Sequence, residues 1–296
     1  TEQLSSRIIA LLSMRSLMKN FSLLSEQEEG KCLEQVDSDL KVLLERQQSN
    51  GGFAFWSTAA NDQLPFASAQ AVLALHLAKQ VGRAVPPYAL QKGLDYLATV
   101  NMKSLPASTV PTKLPILSKI LNVRYQCGID TAKATRCLLA DCKPSDISPE
   151  VAAWLIPTIV NDPESQAQLV QLKEQVHRSI TQTNTTATII EREGQDFDYE
   201  SFTSSARADA AAMEALMACD EKSPLIGKLV KGLLDRRENG IWVGTQANSY
   251  VAQALVKYFQ KYESQVPNFE ARTFLDDANV DSQKYVGRTT KTHELS

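Results

Sequence analysis

The sequence is poor in histidine and has no clustered cysteines, and both shortages narrow its chemistry. Its three histidines, His76, His177 and His293, lie far apart along the chain. Its five cysteines, Cys32, Cys127, Cys137, Cys142 and Cys219, show no C-x-x-C spacing, which removes zinc-finger and redox-dithiol motifs. Buried free thiols on helices are the expectation, and Cys127 with Cys137 or Cys142 is the one pairing that sequence proximity suggests. Long apolar runs are also missing: none approaches the roughly 20 residues that span a bilayer. Positive charge is not in excess, with 31 Lys and Arg against 34 Asp and Glu, so no basic surface for nucleic acid or anionic lipid is expected. Phosphate-binding loops, G-x-S-x-G, H-E-x-x-H and dinucleotide fingerprints do not occur, and nothing in the sequence calls for a cofactor or a metal.

Hydrophobic residues make up 43% of the 296 positions, enough for a large core in one or two domains. Two kinds of helix alternate along the chain. Leu225, Ile226, Leu229, Val230, Leu233 and Leu234 recur on one face with Lys228, Lys231, Asp235 and Arg236 between them, the mark of an amphipathic helix lying outside a core. Cys32 to Gln48 is striped in the same way by Leu33, Val36, Leu40, Leu43 and Leu44. The stretches Ala67 to Ala78 and Ala206 to Cys219 are instead apolar nearly all round, so they must be covered on every side. Striped and fully apolar helices in alternation, with a loose hairpin repeat, predict two concentric layers: an all-α fold, an α/α toroid closed into a ring.

Prolines mark the joints at Pro86-Pro87, Pro106, Pro111, Pro144, Pro149, Pro163 and Pro224. Pro115 and Pro157 fall inside apolar stretches and should kink or shorten their helices. Residues 181–205 read as a long loop or small hairpin, carrying an acidic run (Glu191, Glu193, Asp196, Asp198, Glu200) that lacks the glycine and terminal glutamate of a calcium loop. After Tyr262 two stretches, around Phe269 to Leu275 and near Tyr285, partly alternate as strands do. The expected division is a toroid over 1–262 and a fragment of a following β-sandwich domain over 263–296, a short C-terminal β extension.

Three segments carry a resemblance. The chain opens Thr1-Glu2-Gln3-Leu4-Ser5-Ser6-Arg7; further on comes Arg46-Gln47-Gln48-Ser49-Asn50-Gly51-Gly52-Phe53; near the other end stands Asn239-Gly240-Ile241-Trp242-Val243-Gly244-Thr245-Gln246. Together they resemble the thioester domain of alpha-2-macroglobulin-like proteins, the bacterial branch more than the vertebrate one. In that family the opening motif is Cys-x-Glu-Gln, and the Cys thiol is joined to the Gln side-chain carbonyl. The resemblance aligns Thr1, Glu2 and Gln3 with the last three positions, makes Gln3 the acyl donor, and places the Cys one residue ahead of Thr1. It implies a non-enzymatic protease inhibitor, periplasmic or extracellular and active in host defence. Its partners would be attacking proteases and neighbouring macroglobulin-type β domains; any membrane association would come through other regions.

A carboxamide is a poor acyl donor in water, whereas the same acyl group on sulfur is activated because thiolate leaves readily. Such a bond must be kept dry, which makes Phe53, Phe55 and Trp56 candidate shields, with packing between helix layers as their alternative role. Cys32-Leu33-Glu34-Gln35 matches the motif literally, but it sits inside a striped helix too close to the Gly-aromatic turn, so Cys32 reads as an ordinary helix cysteine. Some thioester relatives use a His roughly a hundred residues past the Cys to carry the acyl group to hydroxyls; residues 101–108 contain none. His76 reads as a core histidine. Two alternatives share the fold: a toroid without a thioester serving as a protein-binding module, and an enzyme of the terpenoid-cyclase or prenyltransferase type, which would need an Asp-rich or zinc-ligand interior.

Overall fold

The computed structural model describes residues 1–21, 23–56, 63–106, 109–190 and 204–287. Eleven α-helices fall among them. In chain order they are α1 (Glu2–Asn20), α2 (Glu26–Glu45), α3 (Pro65–Gln80), α4 (Pro87–Thr99), α5 (Val110–Gln126) and α6 (Ala132–Ala140). They continue as α7 (Pro149–Ile159), α8 (Gln166–Ser179), α9 (Ser205–Cys219), α10 (Leu225–Asp235) and α11 (Thr245–Tyr258). The odd-numbered helices form the inner layer: α1 packs on α3, α3 on α5, α5 on α7, α7 on α9, α9 on α11, and α11 returns to α1. The even-numbered helices lie outside, each against the inner helix before it. The result is the expected α/α toroid, and the α11–α1 contact closes it.

The layers follow the two sequence patterns. On α3, every residue from Phe66 to Leu75 is buried, whereas on α10 only Ile226, Leu229, Gly232 and Leu233 are. Removing apolar surface from water at about 25 cal/mol per Å² therefore acts on all sides of an inner helix and on one stripe of an outer one. Because each outer helix carries the chain back, the inner helices all run the same way and begin at one mouth of the ring.

Boundaries depart from the periodicity where capping chemistry intervenes. The striped helix α2 starts at Glu26, six residues before Cys32, because Ser25 and Glu28 form a reciprocal capping box that satisfies otherwise orphaned amide groups. Prolines stand in the first turn of α3, α4, α5 and α7, where the missing N–H is no loss. Pro115 and Pro157 are tolerated inside α5 and α7; only α7 ends soon after its proline. Strands β1 (Ile180–Gln182) and β2 (Ala187–Ile189) make the small hairpin, and β3 (Asn268–Leu275) with β4 (Ala278–Val286) a second, both antiparallel. The acidic run from Glu191 to Glu200 lies outside the described residues.

The Gly-aromatic turn joins α2 to α3. Gly51 has φ +93°, and a Cβ there would collide with the Lys92 carbonyl of α4. A Cβ on Gly52 would come within 2.8 Å of the Tyr96 ring. Gly240 differs, since nothing crowds it, but its φ of +84° still favours glycine. Gly51→Ala is expected to lower stability by about 2 kcal/mol or more, read as a fall in the denaturant midpoint. An unchanged midpoint would show that this turn relaxes freely.

Candidate functional site

Gln3 occupies the first turn of α1 at the mouth of the ring, and its side chain is exposed. The residues around it are fixed. The Thr1 nitrogen donates to the Phe55 carbonyl at 2.9 Å, and its hydroxyl donates to the Ala54 carbonyl. Arg46 donates to the same Phe55 carbonyl at 3.1 Å, so the turn after α2 is tied to the start of α1. The buried Glu2 carboxylate accepts from Ser6 Oγ and from Thr245 Oγ1, each at 2.8 Å, and Ser5 Oγ donates to the Thr1 carbonyl at 2.9 Å. The structure thus brings Thr1, Glu2 and Gln3 together with both glycine-containing segments singled out in the sequence.

The three aromatics separate. Phe53 is fully buried in the core, and its amide donates to Ser68 Oγ at 3.0 Å, which is the packing role. Phe55 is half-buried and meets Trp56 edge-on with centroids 4.8 Å apart. Trp56 is 75% exposed, so an indole and the Gln3 carboxamide reach solvent at the same mouth.

Just inside the mouth lies a polar cluster that the sequence pattern does not foretell. Arg207, in the first turn of α9, is 0% exposed and makes a bidentate pair with Glu150 of α7: Nε to Oε1 at 2.7 Å and Nη2 to Oε2 at 2.8 Å. Its Nη1 donates to Gln246 Oε1 of α11 at 2.8 Å. The guanidinium stands 5.1 to 5.7 Å from the ring centroids of Trp154, Phe66 and Tyr250, and such rings attract a desolvated cation. Deeper in, Lys119 of α5 is 1% exposed with its Nζ 4.0 Å from the Tyr250 centroid. Burial pushes its ammonium down to about 7, although Glu214 pulls the other way. Burial likewise raises the Tyr250 phenol, whose hydroxyl donates to Gln70 Oε1 at 2.9 Å.

The inner layer is therefore not purely apolar, which corrects the expectation for its helices. Signals were present: Arg207 and Asp209 interrupt one apolar run and Lys119 another, and a charge on a helix that must be buried has to find a partner. Asp209 finds the Ile189 amide at 2.6 Å, the Thr188 hydroxyl and Arg236 at 2.9 Å.

The remaining candidates fall elsewhere. All five cysteines are free: no bridge links Cys127 to Cys137 or Cys142, and Cys137 is exposed, not buried. Cys32 is half-buried on α2, its thiol lies 3.8 Å from the Leu11 carbonyl, and burial raises it, as suits an ordinary helix thiol. His76 is half-buried and bonded to Gln80 at 2.9 Å, so it is not a core histidine; burial lowers it. His177 is exposed, and His293 lies outside the described residues. Among the described residues no group of three His, Cys, Asp or Glu could hold a metal, and no helix is long and apolar enough to cross a membrane.

No family model matches the chain. Its fold matches Salmonella alpha-2-macroglobulin reacted with methylamine, with a TM-score of 0.68 and 17% identity over 97% of this chain and 18% of that one. It also matches the Escherichia coli alpha-2-macroglobulin spanning domain MG7 to the C-terminus, with a TM-score of 0.62 and 18% identity over 94% of this chain and 42% of that one. In sequence, an alpha-2-macroglobulin homolog from Nostoc is 28% identical over 134 residues, 45% of this chain and 7% of that protein. The chain spans less than half the length of each of these relatives. The closed ring of paired helices defines the class: an α/α toroid like the region it matches in those alpha-2-macroglobulins. In fold and in sequence the chain is thus similar to bacterial alpha-2-macroglobulins.

Proposed function

We propose that this chain is the thioester-bearing toroid of a macroglobulin-like protease trap, with Gln3 as acyl donor and Thr1 and Glu2 completing its motif. The observation that carries the reading is the exposure of Gln3 directly after the firmly held Thr1 and Glu2: the side chain that must react is accessible while the two residues ahead of it are clamped. The reading requires that the thiol come from a cysteine directly ahead of Thr1. Cleavage of a bait region elsewhere then exposes the bond, and a lysine of the protease attacks the Gln3 carbonyl; an amide forms, the thiolate leaves, and the amine proton goes to solvent. The toroid captures without turning over. Phe55 and Trp56 form part of the cover over the unreacted bond, and residues 263–296 belong to a following β domain, as the solvent-exposed β3 suggests. The named relatives include alpha-2-macroglobulins from Escherichia coli activated by porcine elastase and by trypsin, which supports proteases as partners. A periplasmic or extracellular setting and a defensive role follow from the same reading.

Because residues 101–111 contain no histidine, no acyl-imidazole is expected to form there and activate hydroxyls. Amines, the stronger nucleophiles, are expected to react directly. Methylamine and glycerol offered in parallel to the protease-activated full-length protein should label Gln3 with methylamine alone, seen by peptide mass spectrometry. Comparable glycerol incorporation would defeat the amine preference, and absence of any methylamine adduct would leave the toroid as a binding module without a thioester.

A further inference from the structure

On the outer side of the ring, away from Gln3, a cleft of about 500 Å³ opens between the end of α4, the turn after it, α5 and α6. Its floor is aliphatic: Leu97, Leu117, Ile120, Leu121 and Leu138 are all buried yet line it. Volumes of this order hold small molecules when an apolar floor is combined with a few placed polar groups. Here the placed group is Arg124 of α5. Its Nε is shielded from water and has no hydrogen-bond partner, and among the described residues the guanidinium forms no ion pair. Arg124 is half-buried, so the remainder of its guanidinium, without an ion pair, is open to an anion, and a planar carboxylate is the group that matches its geometry. Lys103 adds a second positive charge at the exposed rim, while the carboxylate on the lining, Asp141, is exposed to solvent and screened there.

We propose that this cleft binds a small amphipathic carboxylate of the medium-chain fatty-acid type, its alkyl chain on the leucine floor and its headgroup on Arg124. The site is independent of the acyl donor, so its failure would leave the proposed function untouched. Decanoate, below its micellar concentration, is titrated calorimetrically into the 296-residue chain, beside decylammonium. Decanoate is expected to saturate one site and to bind at least tenfold more tightly than decylammonium. Arg124→Met should weaken decanoate at least tenfold. Ala134→Trp, at an exposed position on the lining, should abolish binding by filling the cleft while leaving the circular dichroism spectrum unchanged; it decides the matter should the Arg124 variant fail to fold. No saturable binding up to about 1 mM, equal affinity for decylammonium, or full binding by either folded variant would overturn the proposal.

Discussion

Arg207→Met is expected to lower the unfolding free energy by about 3–5 kcal/mol, the largest loss for any single side chain at the mouth of the ring. The variant leaves Glu150 as a buried carboxylate that has lost both hydrogen bonds at 2.7 and 2.8 Å, and leaves Gln246 Oε1 without its donor. Removing both charges is a different perturbation. In the double variant Arg207→Met/Glu150→Leu no unpaired charge remains, and replacing a whole buried pair with apolar groups is often close to neutral. Urea unfolding of the wild type, both single variants and the double variant should therefore show strong coupling, with the double variant more stable than Arg207→Met. Additive losses would mean that the two groups are not energetically paired.

Lys119→Met should stabilise the toroid near neutral pH and alter its pH dependence. The Lys119 amine sits at about 7 in the folded protein, against 10.5 for an ordinary lysine. Because the folded value is depressed, the unfolded chain takes up a proton below pH 10.5 that the folded chain does not take up until about pH 7. As pH drops through that window stability falls, by about 1.4 kcal/mol for each step of one in pH, and it levels off below the window. The charges facing the amine do not remove the effect: Glu214 and Glu150 favour the ammonium, Arg207 and Lys257 oppose it, and burial outweighs them all. Methionine fills a similar volume without a charge to desolvate. Between pH 10 and pH 7, the gap between the variant and the wild type should widen by about 3–4 kcal/mol; a constant gap would show that Lys119 is already protonated in the fold.

The layers of the ring are legible in the sequence because they follow from helix periodicity alone. An all-apolar run such as Val72-Leu73-Ala74-Leu75 has only one stable environment. The mouth is legible through its two glycine-containing segments, which the fold does seat against Thr1 and Glu2. The Arg207, Glu150 and Gln246 cluster is not, since its members come from three helices separated by dozens of residues and pair only once the ring has closed. Periodicity reports which face is buried, not which lone charge on it will meet another. The capping box at Ser25 is a local pattern, Ser25-Glu26-Gln27-Glu28, that the apolar stripe does not report, so a helix start taken from the stripe alone falls late, at Cys32.

The Thr245 hydroxyl that holds Glu2 is 243 positions away along the chain, and this separation has a temporal meaning. Synthesis delivers α1 first, yet the strut on Glu2 arrives only when α11 emerges at the far end of the ring. Bringing such distant positions together is among the slowest steps open to a chain, because its entropy cost precedes any reward from contact. The mouth is thus completed by the last helix of the ring, and a nascent chain with α1 folded but α11 absent would lack the hydrogen bond that holds Glu2 beside Gln3. If Gln3 is the acyl donor proposed above, assembly order itself would work as a safeguard, withholding reactivity until the ring is whole.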